Sequence, residues 1–266
     1  MWVAAIHFDW HLFFQRIFHP DHAFARALWT TVYIAVAAQV IGVVLGLVAA
    51  FMRTSRFLPL RVLSGAYVLV FRGTPVIVQI FFVYFGANLF LGFNLFPRTV
   101  SLGPLTIPGA AFAGIVALGI NEGAYMREII RAGIDSIDRG QLEAARSLGM
   151  TSRLATRRIV LPQAARVIVP PLGNEFNSML KTTSLLAFIG VYELFQDADI
   201  HYSTTFKPAE YFAAVACWYL LLTTGWSLIQ AWIERRLSVS DRVDRLSFWE
   251  RVAEAWAPAQ IWARGR

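Results

Sequence analysis

Long apolar runs alternate with short polar segments along this chain, and that alternation predicts its elements. The runs lie at about 27–51, 62–90, 107–127, 167–191 and 211–233. Each is long enough as a helix, at about 1.5 Å per residue, to cross a hydrocarbon core about 30 Å thick. The expectation is an all-α, polytopic membrane protein with five transmembrane helices. Residues 1–26 form an N-terminal segment outside them, 27–236 the transmembrane domain and 237–266 a tail. Residues 1–26 are too polar to span, but Trp10, Phe13, Phe14, Ile17 and Phe18 make one apolar face suited to an interfacial helix. The tail mixes charges with Trp249, Trp256 and Trp262, as a surface helix would.

The polar segments fix an orientation. Arg53, Arg56 and Arg61 follow the first run with no acidic residue among them, and eight arginines fall in 127–166 against Glu128, Asp135, Asp138 and Glu143. Residues 92–108 carry Arg98 with several Gly and Pro, whereas 193–210 hold Glu193, Asp197, Asp199 and Glu210 against Lys207. Positively charged loops stay in the cytoplasm, so the N-terminus is expected outside and the C-terminus, after Glu234-Arg235-Arg236, inside.

Within the second basic segment, 136–166 reads as a hairpin of two short helices. The first covers roughly 138–148, with Gly149 where a left-handed residue ends a helix; Thr151 or Ser152 then caps the second, and Pro162 limits how far it runs undisturbed. Leu148, Leu154, Ile159 and Leu161 alternate with Arg146, Arg153, Arg157 and Arg158. Such a hairpin is too charged to cross a bilayer and too apolar to be only a tether, so it should pack against something.

The spacing Glu143-Ala144-Ala145, three residues, Gly149, nine residues, Ile159, one residue, Leu161-Pro162 resembles the EAA loop of membrane subunits of bacterial ABC importers. NEGAYMREIIRAGIDSIDRGQLEAARSLG (121–149), LPQAARVIVPPLGNEFNSMLKTTSLLAFIGVYEL (161–194) and FRGTPVIVQIFFVYFG (71–86) resemble the polar amino acid uptake branch of those permeases. The resemblance covers about 25–235. It implies a cytoplasmic coupling-helix hairpin seated in a cleft of an ABC ATPase subunit dimer, which binds ATP and Mg. It also implies a second permease subunit, identical or paralogous, and an extracytoplasmic amino-acid-binding protein. The location implied is the bacterial cytoplasmic membrane, with residues 1–26 periplasmic. Glu143, Ala144, Ala145 and Gly149 carry over as motif positions, with Arg146 and Arg153 as surface contacts.

Polar groups inside the spans mark the candidate substrate pathway: Arg72, Thr74, Asn121, Glu122, Glu175, Ser178, Thr182 and Thr183. Arg72 would lie about 15 Å deep, where charge faces protein or a water-filled cavity. It either meets the ligand or pairs with a carboxylate such as Glu122 or Glu175. Gly73 and Pro75 can interrupt its helix, as happens at transporter binding sites. Gly42/Gly46 and Gly119/Gly123 are GxxxG pairs, which permit close helix approach; the second fits either a dimer seam or simple packing. Glu175, Ser178 and Thr182 share one helix face. Permeases of this branch that carry cationic amino acids often have Asp after the corresponding lysine. Lys181-Thr182-Thr183 lacks it, which favours a neutral or acidic amino acid.

Composition agrees and excludes alternatives. Hydrophobic residues make up 57% of the 266, charged residues 15%, and mean hydropathy is +0.52, too apolar for an ordinary soluble domain. The net charge of +7 is explained by loop and tail arginines before nucleic acid need be invoked. Cys217 is the single cysteine, so no intrachain disulfide can form. No cleaved leader is expected, because the first long run starts only near residue 27. His7, His11, His19 and His22 raise a metal site as an alternative to a purely interfacial segment, which is preferred. Lys181 follows Leu180 and Lys207 follows Phe206, so no Gly-Lys dipeptide exists and no phosphate-binding loop of the usual kind. The chain is therefore not expected to be an enzyme or to bind a cofactor. The main alternative is an ion-coupled secondary transporter of amino acids using Glu122 and Glu175, although five spans without an internal repeat suit it poorly.

Overall fold

The computed structural model describes residues 7–86, 89, 90, 92, 95–102 and 105–237. The tail expectation at Trp249, Trp256 and Trp262 lies outside them. Helix α1 (Trp10–Phe18) is followed by α2 (His22–Thr54), each started by an aspartate whose side chain accepts a backbone N–H: Asp9 from Leu12 and Asp21 from Phe24. Next come α3 (Leu58–Gly73) and α4 (Val76–Phe81), the latter continuing as a π-helical turn over Phe82–Gly86. A two-stranded antiparallel hairpin, β1 (Thr99–Leu102) and β2 (Leu105–Pro108), pairs Val100 with Ile107. The remaining helices are α5 (Gly109–Asp135), α6 (Arg139–Ser147), α7 (Ser152–Ala155), α8 (Leu161–Thr182), α9 (Leu194–Thr205) and α10 (Pro208–Leu237).

By length and composition α2 and α10 can cross a membrane, and α3 with α4 makes a third candidate bent by 109°. The bend falls at Thr74-Pro75, where the sequence predicts an interruption. Pro75 offers no N–H, so the chain restarts there. The predicted outer segments are more structured than loops. Residues 99–108 contain the strand pair and 193–210 contain α9, capped by the Glu193 side chain, which accepts the Gln196 N–H. The fourth apolar run divides into α8 and a 3₁₀ segment, Thr183–Ile189, that Gly190 ends at φ 79°.

The core ties the two halves of the sequence together. Ile34, Ala35 and Ala38 of α2, Ile80 of α4, Ile115 and Leu118 of α5, and Met179, Leu180 and Leu186 near the end of α8 form one buried cluster. Phe24, Leu194, Ala198, Tyr211 and Val215 form a second, which seats the start of α2 against α9 and α10.

Small residues set the α2–α5 seam. A Cβ on Gly42 would strike the Glu122 side chain, and one on Gly46 would lie 2.8 Å from the Arg127 backbone nitrogen. From the other side, a Cβ on Gly119 would lie 2.7 Å from Ile41, and one on Gly123 2.8 Å from the Leu45 Cβ. The two GxxxG pairs thus face each other within one chain. Of the two readings left open for Gly119/Gly123, dimer seam or helix packing, these contacts with α2 fit packing within the chain.

Candidate substrate pathway and coupling hairpin

The break between α3 and α4 is the first half of the site. Pro75 removes the donor that would bond the Phe71 carbonyl, and two side-chain amides replace it. Asn121 Nδ2 and Gln79 Nε2 donate to that oxygen at 3.0 and 2.9 Å. Gln79 Nε2 also donates to the Thr74 carbonyl at 3.1 Å and to Thr74 Oγ1 at 2.8 Å, and its oxygen accepts from Asn121 at 2.9 Å. Thr74 Oγ1 in turn donates to the Val70 carbonyl at 2.8 Å. Thr74 and Asn121 therefore build the break, while Arg72 stands exposed beside it with its guanidinium 5.0 Å from the centre of the Tyr125 ring.

The expected pairing of Arg72 with Glu122 or Glu175 is not formed: among the described residues Arg72 makes no ion pair. Its charge nevertheless acts on half-buried Glu175, whose own charge is felt by Glu122. Glu122 is only 4% exposed and accepts from Gln39 Nε2 at 3.0 Å. It belongs to a buried polar layer between helices. Nearby, Ser64 Oγ donates to the Ala49 carbonyl at 2.7 Å and Tyr67 Oη to the Ile120 carbonyl at 2.5 Å. Arg127, also buried, pairs with Glu128 and donates from Nε to Ser64 Oγ at 3.3 Å.

Helix α8 supplies the second half, and its polar residues divide between two jobs. Asn177 donates to Ser227 Oγ at 3.1 Å and Asn174 accepts from Gln230 at 3.2 Å, so these two bind α10. Glu175, Ser178 and Thr182 share another face; Ser178 is exposed and Thr182 donates to its carbonyl at 2.9 Å. Thr183 lies apart from that face. It is fully buried and donates to the Leu180 carbonyl at 2.9 Å, closing the turn where α8 tightens to 3₁₀ geometry.

The basic hairpin has the predicted turn at Gly149 and cap at Thr151, and Asp138 adds a further cap, starting α6 by accepting the Gly140 N–H at 2.8 Å. Gly149, at φ 78°, donates to the Arg146 carbonyl at 2.9 Å while Met150 donates to the Ala145 carbonyl at 3.0 Å. This is the Schellman arrangement, which satisfies the last carbonyls of α6. Thr151 then caps α7, its hydroxyl accepting the Leu154 N–H at 3.3 Å. Pro162 does not stop the second helix. The chain relaxes through a π-helical turn, Thr156–Val160, one turn ahead of the proline and runs on into α8. Glu143, Ala144, Arg146, Gly149 and Arg153 are exposed, whereas Ala145 is 2% exposed and, with buried Ala155, sits on the inner side. Ala145 thus packs within the hairpin rather than on its outer side. Leu148, at 83% exposed, is the most prominent apolar group on the hairpin.

The sequence reading missed Gln79, Gln39 and Tyr125. Gln79 and Gln39 did leave a signal, since each is the lone strongly polar residue within an apolar stretch (76–86 and 32–51). Tyr125 left none. At the other end, Arg16 is buried between Asp21 at 3.0 Å and Asp197 at 3.5 Å, and Lys207 bonds Asp9 at 2.7 Å. The four N-terminal histidines do not converge: among the described residues no three metal-capable side chains cluster.

Residues 42–239 match the model for the binding-protein-dependent transport system inner membrane component. The probable amino-acid permease protein YxeN of Bacillus subtilis (strain 168) is 39% identical over 213 residues, covering 80% of this chain and 90% of that one. The arginine transport system permease protein ArgU of Corynebacterium glutamicum is 37% identical over 230 residues, covering 86% and 72%. A crystal structure described as an amino acid ABC transporter with histidines superposes with a TM-score of 0.71 at 40% identity, covering 80% of this chain and 94% of that one. Matched across most of its length, the chain belongs to the family of binding-protein-dependent transport system inner membrane components.

Proposed function

We propose that the chain is the permease subunit of an ATP-driven importer that moves a polar amino acid across the bacterial cytoplasmic membrane. A separate ATPase pair, holding ATP and Mg, drives it through the 143–162 hairpin; a second permease subunit completes the pathway, and an extracytoplasmic binding protein delivers the amino acid. The exposed hairpin carries this reading. Leu148 and Leu154 beside Arg146 and Arg153 present an apolar knob ringed by cations, and α7 is continuous with α8, so a push on the hairpin is transmitted to the face bearing Glu175, Ser178 and Thr182. Membership of a binding-protein-dependent family argues against an ion-coupled secondary transporter.

Five spans are proposed: α2, α3 with α4, α5, α8 and α10. The 27 and 22 residues of α5 and α8 reach about 40 and 33 Å, enough for the bilayer. Their charges are tolerable because the buried ones are bonded within the chain. The basic segments after α2 and α5 then face the cytoplasm with the C-terminus, and α1 lies at the periplasmic surface. The absence of an acidic residue after Lys181 favours a neutral or acidic amino acid; similarity to an arginine permease does not carry that protein's substrate across.

The test is substrate-stimulated ATP hydrolysis by the assembled complex with Gly149→Val, read across a panel of amino acids. No atom lies within 4 Å of the added Cβ, so the variant strains only the backbone of the knob. That strain costs about 1–2 kcal/mol, and stimulation is expected to fall roughly ten-fold. Unchanged stimulation would overturn the coupling role, and arginine or lysine stimulating best would overturn the selectivity.

A further inference from the structure

Helix α8 is interrupted electrostatically at its middle. Pro170 and Pro171 have no N–H to give, so the carbonyls of Arg166 and Val167 lose their ladder donors and fewer bonds tie the two halves of the helix together. The first half belongs with the hairpin and α5. Gln163 Nε2 donates to Gln141 Oε1 at 2.9 Å, and a Cβ on Gly133 would lie 3.0 Å from Ile168 Cδ1 and 3.4 Å from the Ala164 carbonyl. The second half carries Glu175, Ser178 and Thr182, and its own ladder does not fix where they point.

Helix α10 does so through one stripe of bonds. Trp226 Nε1 donates to the Gly173 carbonyl at 2.7 Å, and Gln230 Nε2 donates to the Pro170 carbonyl at 3.1 Å and to Asn174 Oδ1 at 3.2 Å. One turn on, Asn177 Nδ2 donates back to Ser227 Oγ at 3.1 Å. Gly173 permits the approach, since a Cβ there would strike the Gln230 side chain. At about 100° per residue, the bonded stripe of 170, 173, 174 and 177 lies roughly a third of a turn from the face of Glu175, Ser178 and Thr182. Fixing one aims the other. Apolar contacts of Leu172, Met179 and Leu180 press α8 on the core, but such contacts are non-directional and permit a rotation that hydrogen bonds do not.

We propose that Trp226 and Gln230 are positioning residues for transport: bonded to the α8 backbone at and just past the proline pair, they hold the Glu175, Ser178 and Thr182 face toward the pathway while the hairpin half of α8 moves. This deepens the importer reading above and rests on it.

The test uses the complete complex in proteoliposomes, with the binding protein and a saturating amino acid that stimulates hydrolysis, and reads amino acid imported per ATP hydrolysed. Trp226→Phe keeps a ring against Phe176, whose centroid lies 4.4 Å from that of Trp226, and removes the N–H. Import per ATP should fall roughly three-fold while stimulation of hydrolysis persists. Gln230→Met should lower the ratio likewise, and gives the same reading where Trp226→Phe does not assemble. A merely structural role would lower import and hydrolysis together; an unchanged ratio in these variants overturns the proposal. Asn177→Cys joined to Ser227→Cys by a short thiol crosslinker, in a Cys217→Ser background, should restore the ratio in Trp226→Phe. A bridge that leaves the ratio low, or that stops import in the chain with Trp226 intact, would overturn the proposal too, since α8 and α10 would then have to part. Gly149→Val is read in stimulated hydrolysis and Trp226→Phe in import per ATP, so failure of the hairpin reading and failure of this one give different results.

Discussion

At the scale of single residues, the amides around Pro75 show how polar groups inside a membrane protein can hold a broken helix. Gln79 is 7% exposed and spends its donors on the Phe71 and Thr74 carbonyls, which have no partner within a broken helix. Gln79→Leu strands the Thr74 carbonyl and the donor of Asn121. The expected loss is about 1–3 kcal/mol of stability, read by thermal denaturation in detergent, together with slower transport. An unchanged melting midpoint would mean that Asn121 alone holds the bend. The break was legible from Gly73 and Pro75, because proline's missing donor is a local fact. Its repair was not, since Gln79 and Asn121 are 42 residues apart and meet only through packing.

At the scale of elements, the α2–α5 pair rests on glycine. Lipid tails are as apolar as leucine, so helices gain by close contact rather than by leaving water. Gly46→Leu would drive a side chain into the Arg127 backbone nitrogen and the Gly123 carbonyl, 2.8 and 3.0 Å from the new Cβ. A destabilisation of about 1–3 kcal/mol or more is expected, whereas Gly65→Leu should leave the melting midpoint within error, and equal effects at the two sites would contradict the seam. Both GxxxG pairs were visible in the sequence, but a glycine stripe states only that something approaches closely. That the partner is the other stripe of the same chain, and not a second subunit, is decided by which faces Ile34, Ala38 and Leu118 bury together.

At the scale of the whole molecule, the N-terminal segment is latched to the far end of the chain. Asp21's carboxyl is held below its ordinary range, first by the Phe24 N–H and further by Arg16; Asp9 is lowered chiefly by its bond to Lys207, whose own ionisation is pushed up. Lowered carboxylates stabilise above their unfolded value near pH 4 and lose that contribution as pH falls through the folded value. The raised lysine stabilises below its unfolded value near pH 10 and loses it as pH rises through the folded one. The protection of the α1 amides, taken relative to their intrinsic exchange at each pH, should therefore be flat from about pH 5 to 9 and fall below about pH 4; a loss of protection within the flat range would contradict the latch.

The sequence by itself determined the apolar runs, the basic segments between them, the break at Pro75 and the capped turn at Gly149. All of these are set by local chemistry: a hydrophobic period, a missing donor, a residue that accepts positive φ. Tertiary structure alone decided which polar groups stay exposed and which are consumed in packing. Glu122 and Thr183 look in sequence like Glu175 and Thr182. They are buried because Gln39 comes from another helix to meet the first, and because the backbone tightens under the second.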